Sequence, residues 1–177
     1  MYLGSSELIG QEDGKGAGGG NNLFILDGQN DEVLGHINKK HVIFNEHEQD
    51  LPTYRETFQF TVFGDKRYAE HLGKRNGIIA PGEDGELLEF RIFEAHKYRD
   101  LEGLKVDVYS HATYLDLKRK KVFDPGKTNP ETAQQHALTA LDGTGWQLGD
   151  VAFKGIRTLE FDNPYNPYDY LRRIARE

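Results

Sequence analysis

The chain has 177 residues, no cysteine and a net charge of −7. That length allows one ordinary domain, or a small domain plus part of another, with a core that needs neither disulfides nor metal. The missing cysteines exclude thiolate zinc sites and cysteine nucleophiles. The acidic balance argues against a general nucleic-acid-binding face.

Residues 1–21 stand apart. Gly14 to Gly20 reads GKGAGGG, the composition of a flexible linker, so 1–21 are expected to be a flexible arm, disordered or packed on a neighbouring chain. The segment lacks the basic start and apolar core of a secretory signal. Nowhere does an apolar run reach the ~20 residues of a membrane helix.

From Asn22 the sequence alternates between short strands and turns. LFIL (23–26), the turn DGQND (27–31) and EVLGHI (32–37) predict a hairpin, and HVIF (41–44) opens another strand. The clearest strand is YRETFQFTVF (54–63), with Tyr54, Phe58, Phe60 and Val62 on the inward phase. A short helix is expected at 65–72 and a strand at 76–80. The turn PGEDGE (81–86) and the strand LLEFRIFEA (87–95) follow, with Leu88, Phe90 and Ile92 inward. After RDLEG (99–103), LKVDVYS (104–110) alternates through Leu104, Val106 and Val108.

The character then changes. HATYLDLKRK (111–120) predicts a helix with Tyr114, Leu115 and Leu117 partly buried. A second helix runs through ETAQQHALTAL, started by Asn129 with Pro130 or by a Thr128–Glu131 capping box. Its buried face is read as Ala133, Ala137, Leu138 and Leu141. WQLGDV (146–151) reads as a strand, and a last helix starts at Asn166–Pro167, with Leu171, Ile174 and Ala175 as its apolar edge. The fold class is therefore α+β, mainly β. A small antiparallel β-barrel or sandwich spans 22–110, and a helix–strand–strand–helix segment spans 111–177. Because the chain stops inside a helix, 111–177 is expected to be the start of a second, truncated domain.

Few residues suggest chemistry. Gly143-Thr144-Gly145 looks like a phosphate loop, but it follows a helix C-terminus and precedes a strand. Anions need the opposite order, with glycines leading into the positive end of a helix. Gly143 is instead expected to stop the helix. His41 and His47, beside Glu46 and Glu48, would lie about 20 Å apart along a strand, too far for one metal. Asp65, Glu70, Glu83, Asp84 and Glu86 show no pairing signal. Ser5, Ser6 and Ser110 lack the G-x-S-x-G frame. The basic run KRKK (118–121) reads as a solvated helix end. Tyr165, Tyr168 and Tyr170 read as packing or interface anchors, with a sugar platform as the alternative. No catalytic, cofactor-binding or metal-binding residue is assigned.

The order of motifs is more specific than any one of them. LFILDGQNDEVLGHI, TFQFTV, RYAEHLGKRNGII, LEFRIFEA, VYSHATYLDL, HALTALDGTGWQLGDV and RTLEFDNPYNPYDYLRRIARE resemble, in series over 22–177, the phage minor structural protein family, also called the prophage endopeptidase tail or tail-associated lysin family. The arm 1–21 departs from that pattern. The resemblance implies a baseplate-hub-like fold and a homotrimer at the tail tip. In that arrangement the barrel domain, 22–110, contributes to a ring that joins the distal tail protein ring to the tip. The tape measure protein and DNA pass through its lumen, the DNA without specific binding. It further implies a virion component assembled in the bacterial host cytoplasm. Any peptidase or other wall-degrading activity would lie in C-terminal domains, so this chain is expected to be no enzyme and to need no cofactor. The alternatives are a module binding host cell-wall carbohydrate and the N-terminal part of a wall endopeptidase.

Overall fold

The computed structural model describes residues 22–50, 53–82, 85–120 and 122–176. They form two compact units, 22–113 and 114–176. The arm 1–21 and the carboxylates Glu83 and Asp84 lie outside the described residues.

The first unit is one antiparallel sheet of seven strands. They are β1 (Leu23–Leu26), β2 (Val33–Ile37), β3 (Val42–Asp50), β4 (Arg55–Phe63), β5 (Gly77–Pro81), β6 (Leu87–Asp100) and β7 (Gly103–Ala112). Their order across the sheet is β2-β1-β5-β6-β7-β4-β3. The two edge strands are therefore neighbours in sequence, joined through Asn38 and the 3-10 turn Lys39–His41. Six inter-strand spacings of ~4.8 Å would put the edges of a flat sheet ~29 Å apart. The five residue steps from Ile37 to Val42 reach no further than ~18 Å. The sheet must curve to bring those strand ends together. It does not close, because β2 and β3 make no ladder with each other. The expected barrel is thus a curved, open sheet.

Alternation makes the core. Phe58, Phe60, Val62, Phe90, Ile92, Val106 and Val108 are all at most 4% exposed on the concave face. Phe58 packs against Phe60 and Phe90 with ring centroids 5.4 and 5.2 Å away. Each such side chain contributes about 1.5–3 kcal/mol by leaving water. Ser110 shares this face and donates its hydroxyl hydrogen to the Phe58 carbonyl at 2.5 Å. The first hairpin turns where the Asp27 side chain accepts from the Gln29 N–H at 2.7 Å. Tyr54 does not join β4. It sits in the turn before the strand with φ 53° and is exposed. Glu56 takes the next inward position. The helix expected at 65–72 is a 3-10 turn, Arg67–Glu70.

The second unit is built on two helices, α1 (Ala133–Leu141) and α2 (Pro167–Arg176), with the short pair β8 (Glu131–Thr132) and β9 (Ile156–Arg157). Several expectations fail here. The strand β7 runs on to Ala112, and Thr113–Arg119 is 3-10 rather than an α-helix starting at 111. The cap of α1 is Thr132, not Asn129 or Thr128. Its hydroxyl accepts from the Gln135 N–H at 3.2 Å, and the Gln135 side chain accepts from the Thr132 N–H at 3.0 Å. Glu131 and Thr132 are instead held as a strand against β9. The stretch 146–151 is not a strand. Trp146 and Leu148 turn onto the core of this unit instead. Gly143, φ 68°, follows the C-cap Asp142 and ends α1 as a left-handed glycine. Asn166 caps α2, accepting from the Asp169 N–H at 2.9 Å, with Pro167 at the first helical position.

Tyr170, 1% exposed, is the centre of this unit's core, stacked 4.6 Å from Phe161. Buried His136 ties the elements together. Its Nε2 lies 2.9 Å from the Arg157 carbonyl, which can only accept, so Nε2 donates. In the neutral imidazole, Nδ1 is then the acceptor for the Tyr170 hydroxyl at 3.3 Å.

Candidate functional site

The residues singled out for chemistry do not converge. His41 packs on Tyr68 at a ring distance of 5.8 Å, whereas His47 belongs to a separate cluster on the concave face. Asp65 pairs with Lys66 at 3.0 Å and Glu70 with His71 at 3.5 Å. Tyr168 and Tyr170 are buried, so the three tyrosines form no sugar platform. Within the basic run, Lys118 lies 4.5 Å over the Tyr168 ring, and Lys121 is outside the described residues. Among the described residues, no group of three His, Asp or Glu side chains is placed to share a metal. None of the helices is long and apolar enough to cross a membrane.

Alternation alone does not assign a polar cluster on the concave face. Glu56 occupies an inward position of β4 and is 9% exposed. Its Oε1 accepts from Gln49 Nε2 at 2.9 Å and lies 2.7 Å from His47 Nε2. His47 in turn meets the Phe90 ring edge-on at 5.5 Å. Serine, histidine and glutamate therefore share one face, but they do not form a triad. The register sets Phe58 between His47 and Ser110, and the Ser110 hydroxyl is already bound to the Phe58 carbonyl. The cluster pins the edge strand β3 to β4. Its signal in the sequence is a glutamate in the apolar phase of 54–63.

The convex face carries the exposed surface. The Phe93 ring stacks on His111 at 5.8 Å and sits 6.4 Å from Tyr109. Phe93 stands at a bulge of β6, where the pairing with β7 shifts between Ile92 and Glu94. Beside these rings lies a shallow cleft lined by Glu46, Glu48, Arg55, Gln59, Phe93 and Tyr109. Gln59 donates to the Glu46 carboxylate.

Beyond the bulge, β6 loses its outer neighbour. The β5 ladder ends at Gly77 opposite Arg91, and β6 continues to Asp100 paired only with β7. At the tip, Lys105 binds Asp100 at 2.7 Å and Glu102 at 2.5 Å. The hydrogen bond Lys105 donates to Asp100, then that to Glu102, raises its pKa above the usual lysine value. The same bond holds the Asp100 carboxyl below the usual carboxylate range. One lysine thus holds both acids of the tip and offsets one of their two charges. Lys97 and Arg99 remain as exposed cations.

The fold is shared with phage tail proteins. A tail protein from Neisseria meningitidis MC58 matches with a TM-score of 0.57 at 10% identity, over 87% of this chain and 44% of that one. The 43 kDa tail protein of prophage MuSo2 from Shewanella oneidensis matches with a TM-score of 0.56 at 13% identity, over 87% and 47%. The chain thus spans less than half the length of either. No protein-family model matches the sequence, and no curated protein does.

Proposed function

We propose that this chain is a structural component of a phage or prophage tail, acting at the tail tip as part of a trimeric hub. The observation that carries the reading is the fold shared with two tail proteins over 87% of the chain. The side chains fit an architectural role. The best-organised polar cluster, Glu56 with His47 and Gln49, fastens an edge strand. The exposed surface consists of strand edges, aromatic rings and charges, the materials of protein contacts.

In this reading the hub joins the distal tail protein ring to the tip, and the tape measure protein and then DNA pass through its lumen. A net charge of −7 suits that passage, because acidic walls repel phosphate and keep transit free of sticking. Any wall-degrading activity belongs to segments beyond this chain. Assembly takes place in the bacterial host cytoplasm and the product is a virion part. Light scattering across a concentration range tests the trimer. The expected native mass is three times the 20.2 kDa of one chain. A chain that stays monomeric at the highest concentration contradicts the trimer.

A further inference from the structure

A strand in a folded sheet normally buries alternate side chains. The end of β6 buries none, and every residue from His96 to Glu102 is exposed. Leu101 at the turn is 107% exposed and Tyr98 39%. Leu101, fully in water at the hairpin tip beside exposed cations, is available to a partner. The charges of the tip are selective. Asp100 and Glu102 are bound by Lys105, whereas Lys97 and Arg99 have no such carboxylate partner on the hairpin.

The cleft on the convex face has the complementary chemistry. Phe93 and Tyr109 give it an aromatic floor. On its β3 side, Glu46 and Glu48 are both exposed, and alternation puts Asp50 in the same row. Arg55 is the one cation lining it. Glu46 accepts from the neutral Gln59 side chain.

We infer that the β6–β7 hairpin tip of one copy seats in the convex cleft of a second copy, with Lys97 and Arg99, which the register sets on one face of the hairpin, against Glu46 and Glu48, and with Leu101 on Phe93 and Tyr109. The tip cannot reach its own cleft. Leu101 lies eight residues along the same strand direction from Phe93, about 26 Å at ~3.3 Å per residue. The contact joins two different patches, so repetition by a three-fold rotation closes it into a ring. The inference rests on the trimer reading and names its interface.

Charge reversal with rescue tests it, read as subunit affinity by light scattering. The K97E/R99E pair and the E46K/E48K pair should each weaken association at least about tenfold, and all four together should restore it to within about threefold. Circular dichroism checks that these exposed substitutions leave the fold intact. The cysteine-free chain permits a second measurement. Thr57 also lines the cleft, so mixed L101C and T57C chains should form a disulfide between copies under mild oxidation. A multimer unaffected by either reversal, with no cross-link, overturns this interface and leaves the trimer standing. A chain monomeric at every concentration, with no cross-link, overturns both.

Discussion

Replacing His136 with leucine should destabilise the second unit by about 2–4 kcal/mol. The imidazole is 1% exposed and bonds at both nitrogens, so leucine keeps the bulk and removes both bonds. Losing the 2.9 Å bond to the Arg157 carbonyl costs about 1 kcal/mol, because that carbonyl belongs to an exposed strand that water can reach. The Tyr170 hydroxyl is worse placed. It sits in the core, and an unsatisfied buried donor costs about 1–3 kcal/mol. The order of these terms makes a sharper prediction. Adding Tyr170→Phe to His136→Leu removes the stranded hydroxyl, so the double variant should recover about 1–2 kcal/mol over the single one. Urea unfolding followed by fluorescence reads the right unit, because the single tryptophan, Trp146, packs on its core. A single variant within 0.5 kcal/mol of the parent, as an ordinary surface change would be, refutes this account of His136. So does a double variant no more stable than the single one.

Three further outcomes follow from the first unit. Burial, reinforced by nearby Asp65, pushes the Tyr68 hydroxyl up to about 12. The neutral form is favoured in the folded state, so this contribution is complete below pH ~10 and is lost as pH rises toward 12. Ultraviolet titration should show tyrosine ionisation extending to high pH, since Tyr98 and Tyr170 are also raised, and Tyr68→Phe should reduce the late amplitude by one tyrosine. The Asp100 carboxyl is held low by Lys105, so its contribution is present above the ordinary aspartate value and disappears as pH falls through the depressed one. Carboxyl NMR should place Asp100 below the usual aspartate range, and Lys105→Met should raise it toward that range. Gly28→Ala should lower stability by more than 1 kcal/mol in chemical denaturation, because a Cβ there would lie 2.2 Å from the Arg75 carbonyl oxygen. An alanine variant as stable as the parent would show that the turn and Arg75 separate freely.

The strands were legible because alternation is a local signal. Phe58, Phe60 and Val62 reveal their face from spacing alone, and so do Val106 and Val108. Closure was not legible. Whether β2 meets β3 depends on the curvature of seven strands, which no single segment encodes. The α1 cap was misplaced because Asn129-Pro130 and Thr128–Glu131 are locally good starts, yet pairing of Glu131 and Thr132 with β9 holds the chain extended for two more residues. His136 could have been found. Buried positions 133, 136, 137, 140 and 141 follow the 3-4 spacing of one helix face, and Leu138, 52% exposed, does not. The hairpin tip was hidden differently, since a strand exposed on both faces has no periodicity to read.

The most direct test of the tail-tip reading is to locate the protein on the particle. Antibody raised against this chain should label purified tails at one end only, the tip, in immuno-electron microscopy. Particles that carry no label, while the chain is abundant in the lysate, would contradict the account.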